Sequence, residues 1–92
     1  MNNKCTINLQ IVSKYDFKHI FSYRLLYYIM TNYDTNAKII YIDKEYLVSN
    51  YNTTYYSIDS AINELIDNDV IKIYKYHKSQ YKINNKVFIK FE

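Results

Sequence analysis

The sequence predicts a single α+β domain with about three helices and a small antiparallel sheet that ends in a C-terminal β-hairpin. Three observations support this prediction. The chain has 92 residues, 49% of them hydrophobic, which is enough for one core. Two segments repeat apolar residues at helical spacing. Two β-rich segments then follow near the C-terminus, separated by four polar residues. We therefore treat residues 1–92 as one domain.

The N-terminal part contains a short extended segment and then a helix. Residues 1–13 are expected to form a strand or arm, because Ile7, Leu9 and Ile11 alternate with polar residues. A helix is predicted from about Tyr15 to Asn32, and a break near Ser22 would leave a shorter one. Its predicted inward residues are Phe17, Ile20, Phe21, Leu25, Tyr28 and Ile29. The polar segment 32–36 then predicts a turn.

A strand and a second helix follow this turn. Residues 39–42 are β-branched or aromatic and predict a short strand. Asp43 is a favourable N-cap for a helix that runs to about Asn50. Leu47 and Val48 are the residues of this helix that we expect to face inward.

The third helix has the clearest pattern in the sequence. Thr54 is its predicted N-cap. Its apolar residues have the spacing of a buried stripe, namely Ile58, Ala61, Ile62 and Leu65. We expect this helix to end at Asn68-Asp69, because Asn and Asp tolerate the left-handed backbone that often ends a helix.

The last third predicts a β-hairpin. Val70 to Tyr76 and Tyr81 to Phe91 both have strand composition, and the polar residues 77–80 are short enough to connect them. The predicted order is helix, strand, helix, turn, helix and hairpin. This is the element order of a winged helix-turn-helix.

The segment from Tyr41 to Phe91 resembles the winged-helix domains of plasmid and phage replication initiators and related regulators. The segments that carry the resemblance are Asp43–Leu47, Ser57–Leu65, Val70–Lys72 and Tyr81–Phe88. The family usually has Gly where this chain has Asn52 and Asp69, and an apolar residue in place of Thr53. The resemblance implies binding of double-stranded DNA. Replication initiation, partition and transcription control all remain open, because small partition proteins share this architecture.

The third helix is the predicted DNA-reading element, since the second helix of such a motif lies in the major groove. Its candidate contacts are Thr53, Thr54, Tyr55, Tyr56, Ser57, Ser60 and Asn63. Asn can pair with adenine, and hydroxyl groups can bond to bases or phosphates. This helix has no Lys or Arg and contains Asp59, Glu64 and Asp67. We therefore expect the attraction for DNA to come from the hairpin.

The hairpin region is the basic part of the chain. Residues 72–92 have a net charge of +5, whereas residues 1–71 have a net charge of −2. The candidate DNA contacts in this region are Lys75, His77, Lys78, Gln80 and Lys82. Lys72, Lys86 and Lys90 either join them or are ordinary solvent-facing strand residues.

Catalysis is not expected. The chain has no Gly, so it has no Gly-rich phosphate loop. Its two histidines are far apart in sequence, Cys5 is the single cysteine and Arg24 the single arginine. We predict a non-enzyme without a metal or cofactor. No long apolar run and no secretory signal are present, which predicts a cytoplasmic protein without a membrane partner.

Two further partner hypotheses follow from the sequence. A homodimer would strengthen DNA binding by a single small domain. Its interface could use the first helix, which is rich in apolar residues, although core packing explains them equally well; they are Phe17, Phe21, Tyr27, Tyr28 and Ile29. The alternative function is a winged-helix protein-interaction module, a phage- or plasmid-encoded adaptor or inhibitor that does not bind DNA. The acidic third helix is compatible with that alternative.

Overall fold

The fold was derived from a computed structural model, which describes residues 4–32, 39–74 and 79–91, with the backbone alone at 4–6 and 89–91. Within these residues it is an α+β fold with four helices, a three-stranded antiparallel sheet and a two-stranded one. The elements in chain order are β1 (Lys4–Ile7), α1 (Leu9–Val12), α2 (Ile20–Asn32), β2 (Ile39–Tyr41), α3 (Lys44–Tyr51), α4 (Tyr55–Asp67), β3 (Ile71–Ile73), β4 (Gln80–Ile83) and β5 (Phe88–Phe91).

The N-terminal segment is a strand only as far as Ile7. β1 pairs antiparallel with β5, with Ile7 opposite Phe88. Asn8 ends the strand and caps α1, because its Oδ1 accepts a hydrogen bond from the Gln10 amide at 3.1 Å. The predicted strand is therefore confirmed at its start and wrong after Asn8, where the Asn side chain begins a helical turn instead.

The helix α2 begins at Ile20, so the predicted start at Tyr15 is wrong, and the alternative of a shorter helix is closer to the structure, although the helix begins before Ser22. Phe17 is buried before the helix starts, with its ring 5.2 Å from that of Tyr15 and 4.9 Å from that of Tyr23. Residues 15–17 are not helical, and the Phe17 ring packs against both of these rings. Ser22 lies in the first turn of α2 and is fully buried.

Most of the predicted inward face of α2 is confirmed. Phe21, Leu25, Tyr28 and Ile29 are buried. Ile20, in contrast, is 82% exposed, because it is the first residue of the helix and lies outside the core.

The predicted caps of α3 and α4 are confirmed. The Oδ1 of Asp43 accepts from the Tyr46 amide at 3.1 Å, and the Oγ1 of Thr54 accepts from the Ser57 amide at 3.1 Å. Between the two helices the chain turns at Asn52, which has a φ of 50°. The predicted inner stripe of α4, Ile58, Ala61, Ile62 and Leu65, is buried. Asp69, with a φ of 61°, supplies the left-handed residue after this helix.

The three-stranded sheet has the order β2-β4-β3, and both pairings are antiparallel. Tyr81 of β4 lies between Ile40 of β2 and Ile73 of β3. Because side chains alternate along a strand, Ile40, Tyr81 and Ile83 point to the same, inner face, where all three are buried. The β3–β4 pairing confirms the predicted hairpin, and residues 75–78 lie outside the described part of the chain.

The predicted single strand from Tyr81 to Phe91 is wrong, because Asn84 interrupts it. Its amide donates to the Val70 carbonyl at 3.0 Å and its Nδ2 donates to the Asp69 carbonyl at 2.8 Å. Its Oδ1 accepts from the Lys86 amide at 2.8 Å. These bonds close a turn after β4, so β5 leaves the three-stranded sheet and pairs with β1.

One hydrophobic cluster joins the helices to the three-stranded sheet. Its fully buried members include Leu25, Ile29, Leu47, Leu65 and Val70. Four of the five apolar residues considered for a dimer interface belong to this cluster, and the fifth, Tyr27, is 58% exposed. Core packing therefore accounts for those four residues, and the homodimer stays a prediction.

Candidate nucleic-acid interface

The outer face of α4 is polar and accessible. Tyr56 is 77% exposed, Asn63 is exposed and Ser60 is half-buried. A helix advances about 100° per residue, so these three side chains lie opposite the buried stripe. The structure thus brings together the three residues that the sequence singled out as the outward face of this helix.

The other four predicted contacts of the third helix, Thr53, Thr54, Tyr55 and Ser57, lie at the start of α4 or just before it. Tyr55 is 49% exposed, and Thr53 and Ser57 are half-buried. The Thr54 hydroxyl is engaged within the helix cap, since it accepts from the Ser57 amide and donates to the Ser57 hydroxyl at 3.1 Å. The role that the structure shows for Thr54 is therefore to cap α4.

A basic flank borders this face on one side. A groove of about 400 Å³ lies between the start of α2 and the turn before α4, and one of its walls contains Lys18 and His19, just before α2, and Arg24 of α2. The opposite wall consists of the turn before α4 and its first residues, among them Thr53 and Tyr56. We call Lys18, His19 and Arg24 the α2 flank.

Two residues of the α2 flank, Lys18 and His19, also border the outer face of α4. A second groove of about 270 Å³ brings Lys18 and His19 together with Tyr56, Ser60 and Asn63, and the acidic residues Glu64 and Asp67 also line it. The same two basic residues therefore border both the start and the outer face of α4. Sequence reasoning missed this flank, because no local pattern connects residues 18–24 with residues 56–63.

Glu64 of α4 holds the α2 flank in position. Its Oε2 accepts from the Lys18 amide at 2.6 Å, and its Oε1 accepts from the His19 amide at 3.1 Å and the Ser22 hydroxyl at 2.6 Å. Burial by itself would raise the pKa of Glu64, but the hydrogen bonds from Ser22, Lys18 and His19 outweigh burial and lower the pKa. The Glu64 carboxylate therefore faces the donors at the start of α2.

An ion pair borders α4 on the other side. The Lys44 Nζ lies 2.7 Å from the Asp59 Oδ1. The hydrogen bond to Asp59 raises the pKa of Lys44. Burial raises the pKa of Tyr81, while the charge of Lys44 lowers it and the charge of Asp59 raises it. Of the three acidic residues on α4, Glu64 and Asp59 are thus bonded, and Asp67 is exposed at the C-terminal end.

The hairpin residues of the predicted site are only partly described. Lys75, His77 and Lys78 lie outside the described residues. Gln80 is half-buried and lies opposite Tyr41 in the sheet. Lys82 is exposed, and it points to the outer face of the sheet because it alternates with the buried Tyr81 and Ile83. The structure therefore does not bring Lys82 together with the outer face of α4.

Neither metal ligands nor a membrane span is found in the described part of the chain. It contains no group of three or more His, Cys, Asp or Glu side chains suited to holding a metal ion. None of its helices combines the length and apolar character required to cross a membrane. No protein-family model matches the chain, and no curated protein or solved structure is significantly similar to it.

Proposed function

We propose that the chain is a winged helix-turn-helix protein that binds double-stranded DNA, with α4 in the major groove. The observation that carries the proposal is the position of the α2 flank along α4. Lys18 and His19 line the same groove as Tyr56, Ser60 and Asn63. A helix in the major groove contacts base edges through its polar face, and basic side chains beside it contact phosphates. The outer face of α4 and the neighbouring Lys18 and His19 have this arrangement.

The topology supports the same proposal. The elements α2, β2, α3, α4, β3 and β4 follow each other in the order of a winged helix, and the sheet order is β2-β4-β3. The helices α3 and α4 are joined by a short turn at Asn52, so they correspond to the two helices of a helix-turn-helix. The β3–β4 hairpin then corresponds to the wing.

The acidic character of α4 does not argue strongly against this function. Glu64 is bonded to three donors of the α2 segment, and Asp59 is paired with Lys44. The repulsion of a DNA phosphate by these two carboxylates is therefore reduced, whereas Asp67 is exposed in the same groove as Asn63. α4 contains no Lys or Arg, so the positive charges that attract DNA phosphates come from Lys18 and Arg24, which line the neighbouring groove.

We assign separate roles to the two parts of the interface. Tyr56, Ser60 and Asn63 meet base edges or the nearby backbone, and Asn63 is the candidate for pairing with adenine. Lys18, Arg24 and the predicted hairpin contacts Lys75 and Lys78 neutralise phosphates. If three to five phosphates are neutralised, the slope of log affinity against log salt is about −3 to −5. The activity would serve plasmid or phage replication, partition or transcription control in the cytoplasm.

Duplex DNA titrations at several salt concentrations test the proposal. We expect fluorescence anisotropy to show binding that weakens steeply with salt. Lys18→Glu and Arg24→Glu should each weaken binding about tenfold at low salt, because each reverses one charge beside the phosphate backbone. Lys14→Glu is the matched control, since Lys14 is exposed and lines neither groove. The lack of binding at low salt, or equal losses in all three variants, would contradict the proposal.

Two exposed apolar side chains favour the second candidate function, a protein-interaction module. Ile20 is 82% exposed and Tyr56 is 77% exposed, and both line the groove between α2 and α4. An exposed apolar pair in a groove is a common feature of protein-binding surfaces. Ile20→Gln separates the two candidates: it should leave salt-dependent DNA binding unchanged, whereas a protein partner held in this groove should dissociate.

A further inference from the structure

Three lysines line a groove on the other side of the three-stranded sheet. Lys72 of β3 and Lys82 of β4 are direct cross-strand neighbours and are both exposed. Lys86, in the turn after β4, lines the same groove of about 420 Å³. Asp69 is the one acidic residue in its lining. We call Lys72, Lys82 and Lys86 the sheet lysines.

The arrangement of these lysines is unfavourable in the free protein. Like charges directly opposite each other on a sheet repel and lower its stability. None of the three sheet lysines forms an ion pair with a carboxylate in residues 7–32, 39–74 or 79–88. An anion that bound between them would remove the repulsion, so the groove is suited to the closely spaced phosphates of a nucleic-acid backbone.

The groove faces away from α4. Tyr81 and Ile83 point to the inner face of the sheet, whereas Lys82 between them points to the outer face. Asp69, Asn84 and Lys86 place the groove at the base of the hairpin. Lys72 and Lys82 therefore lie on the face of the sheet opposite the helices, and a duplex on the outer face of α4 leaves them free to hold another segment.

We infer that the sheet lysines bind the backbone of a second DNA duplex, so that one protein molecule joins two duplexes. This inference rests on the proposed function, which supplies the first duplex at α4. The sheet lysines contact phosphates only and add no sequence preference. Joining of duplexes should therefore be more sensitive to salt than binding of one duplex, because it requires both sets of phosphate contacts.

A capture assay tests the inference. A biotinylated duplex on beads, a free fluorescent duplex and the protein are mixed at low salt, and the captured fluorescence is measured. The full chain should capture the free duplex. The Lys72→Gln/Lys82→Gln/Lys86→Gln variant should capture at least about fivefold less, while its Kd for one duplex changes less than about threefold. Lys14→Gln is the control and should capture normally. Circular dichroism should show an unchanged fold, because the variant removes only exposed charges.

The outcomes separate this inference from the proposed function. Normal capture by the triple variant would overturn the inference, and a dimer that joins duplexes through two α4 faces would give that result. Binding of one duplex without any capture would also overturn it and leave the proposed function intact. If the wild-type protein bound no duplex at all, both would fail together.

Discussion

The carboxylate of Glu64 in α4 accepts a hydrogen bond from the hydroxyl of Ser22 in α2, at a distance of 2.6 Å. Ser22 is fully buried, and Glu64 also accepts from the amides of Lys18 and His19. The contact therefore connects the DNA-reading helix of our proposal to the segment that carries its basic flank. It also explains why α2 begins at Ile20, since these amides are bonded to Glu64.

We predict that Glu64→Gln lowers the free energy of unfolding by about 1–3 kcal/mol, because an amide cannot replace a carboxylate that accepts from three donors. Urea denaturation at neutral pH measures this change. Asp16→Asn is the control, since Asp16 is an exposed acidic residue outside the helices and strands, and its effect should be near zero. Equal stability of Glu64→Gln and the wild type would show that the contact is not maintained in solution.

The same contact predicts a dependence on pH. The pKa of Glu64 in the folded protein lies below its ordinary value of 4.5. Its contribution to stability is therefore complete above the pKa of the unfolded chain and is lost as the pH falls through the lower, folded pKa. The stability difference between wild type and Glu64→Gln should shrink from about pH 7 to about pH 3. A difference that stays constant over this range would contradict the assignment.

Asn52 and Asp69 have left-handed backbone conformations, with φ values of 50° and 61°. We predict that Asn52→Gly keeps or raises stability, because Gly has no Cβ to oppose this conformation. Asn52→Ala should lower the free energy of unfolding by about 1 kcal/mol. Thermal denaturation of the pair of variants measures the difference. A more stable Ala variant would contradict the left-handed turn between α3 and α4.

The two parts of the proposed interface should respond differently to mutation. Lys18→Gln should reduce the salt slope by about 1 and weaken binding to all duplexes alike. Asn63→Ala should leave the slope unchanged and cost about 1–3 kcal/mol of discrimination at one base pair, once a preferred site is selected from random duplexes. Equal losses of slope in both variants would contradict the division into phosphate and base contacts.

Removal of the ion pair between Lys44 and Asp59 should strengthen DNA binding, whereas the substitutions described above weaken it. Asp59→Asn removes a negative charge from α4 and releases Lys44, so DNA binding should become about two- to fivefold tighter at low salt. Stability should change by less than about 1 kcal/mol, since both side chains are partly exposed. Anisotropy titrations and urea denaturation measure the two effects. Weaker DNA binding by this variant would indicate that DNA does not approach α4 from this side.

The local features of the fold could be predicted from the sequence. Asp43 and Thr54 cap their helices through bonds to amides three residues away, and the inner stripe of α4 follows helical spacing. Asp69 takes the left-handed conformation expected after that helix. These features depend on neighbours in sequence, so residue type and spacing are sufficient to predict them.

The errors arose where distant residues determine the local structure. The start of α2 depends on Glu64, which is more than forty residues away, and the break after β4 depends on the bonds of Asn84 to the backbone of Asp69 and Val70. For the same reason the outer face of α4 was predictable from its helical spacing, but the α2 flank was not. The flank is created by the packing of α2 on α4 and has no signal of its own.

The most direct test of the central claim is to titrate the ¹⁵N-labelled protein with a short duplex and follow its amide resonances. We expect the largest shifts at Tyr56, Ser60 and Asn63 of α4 and at Lys18 and His19 of the α2 flank. Amides of Leu9 and Gln10 in α1, which line neither groove at α4, should shift little. Shifts confined to other surfaces, or no shifts at low salt, would contradict the claim that α4 and the α2 flank form a DNA interface.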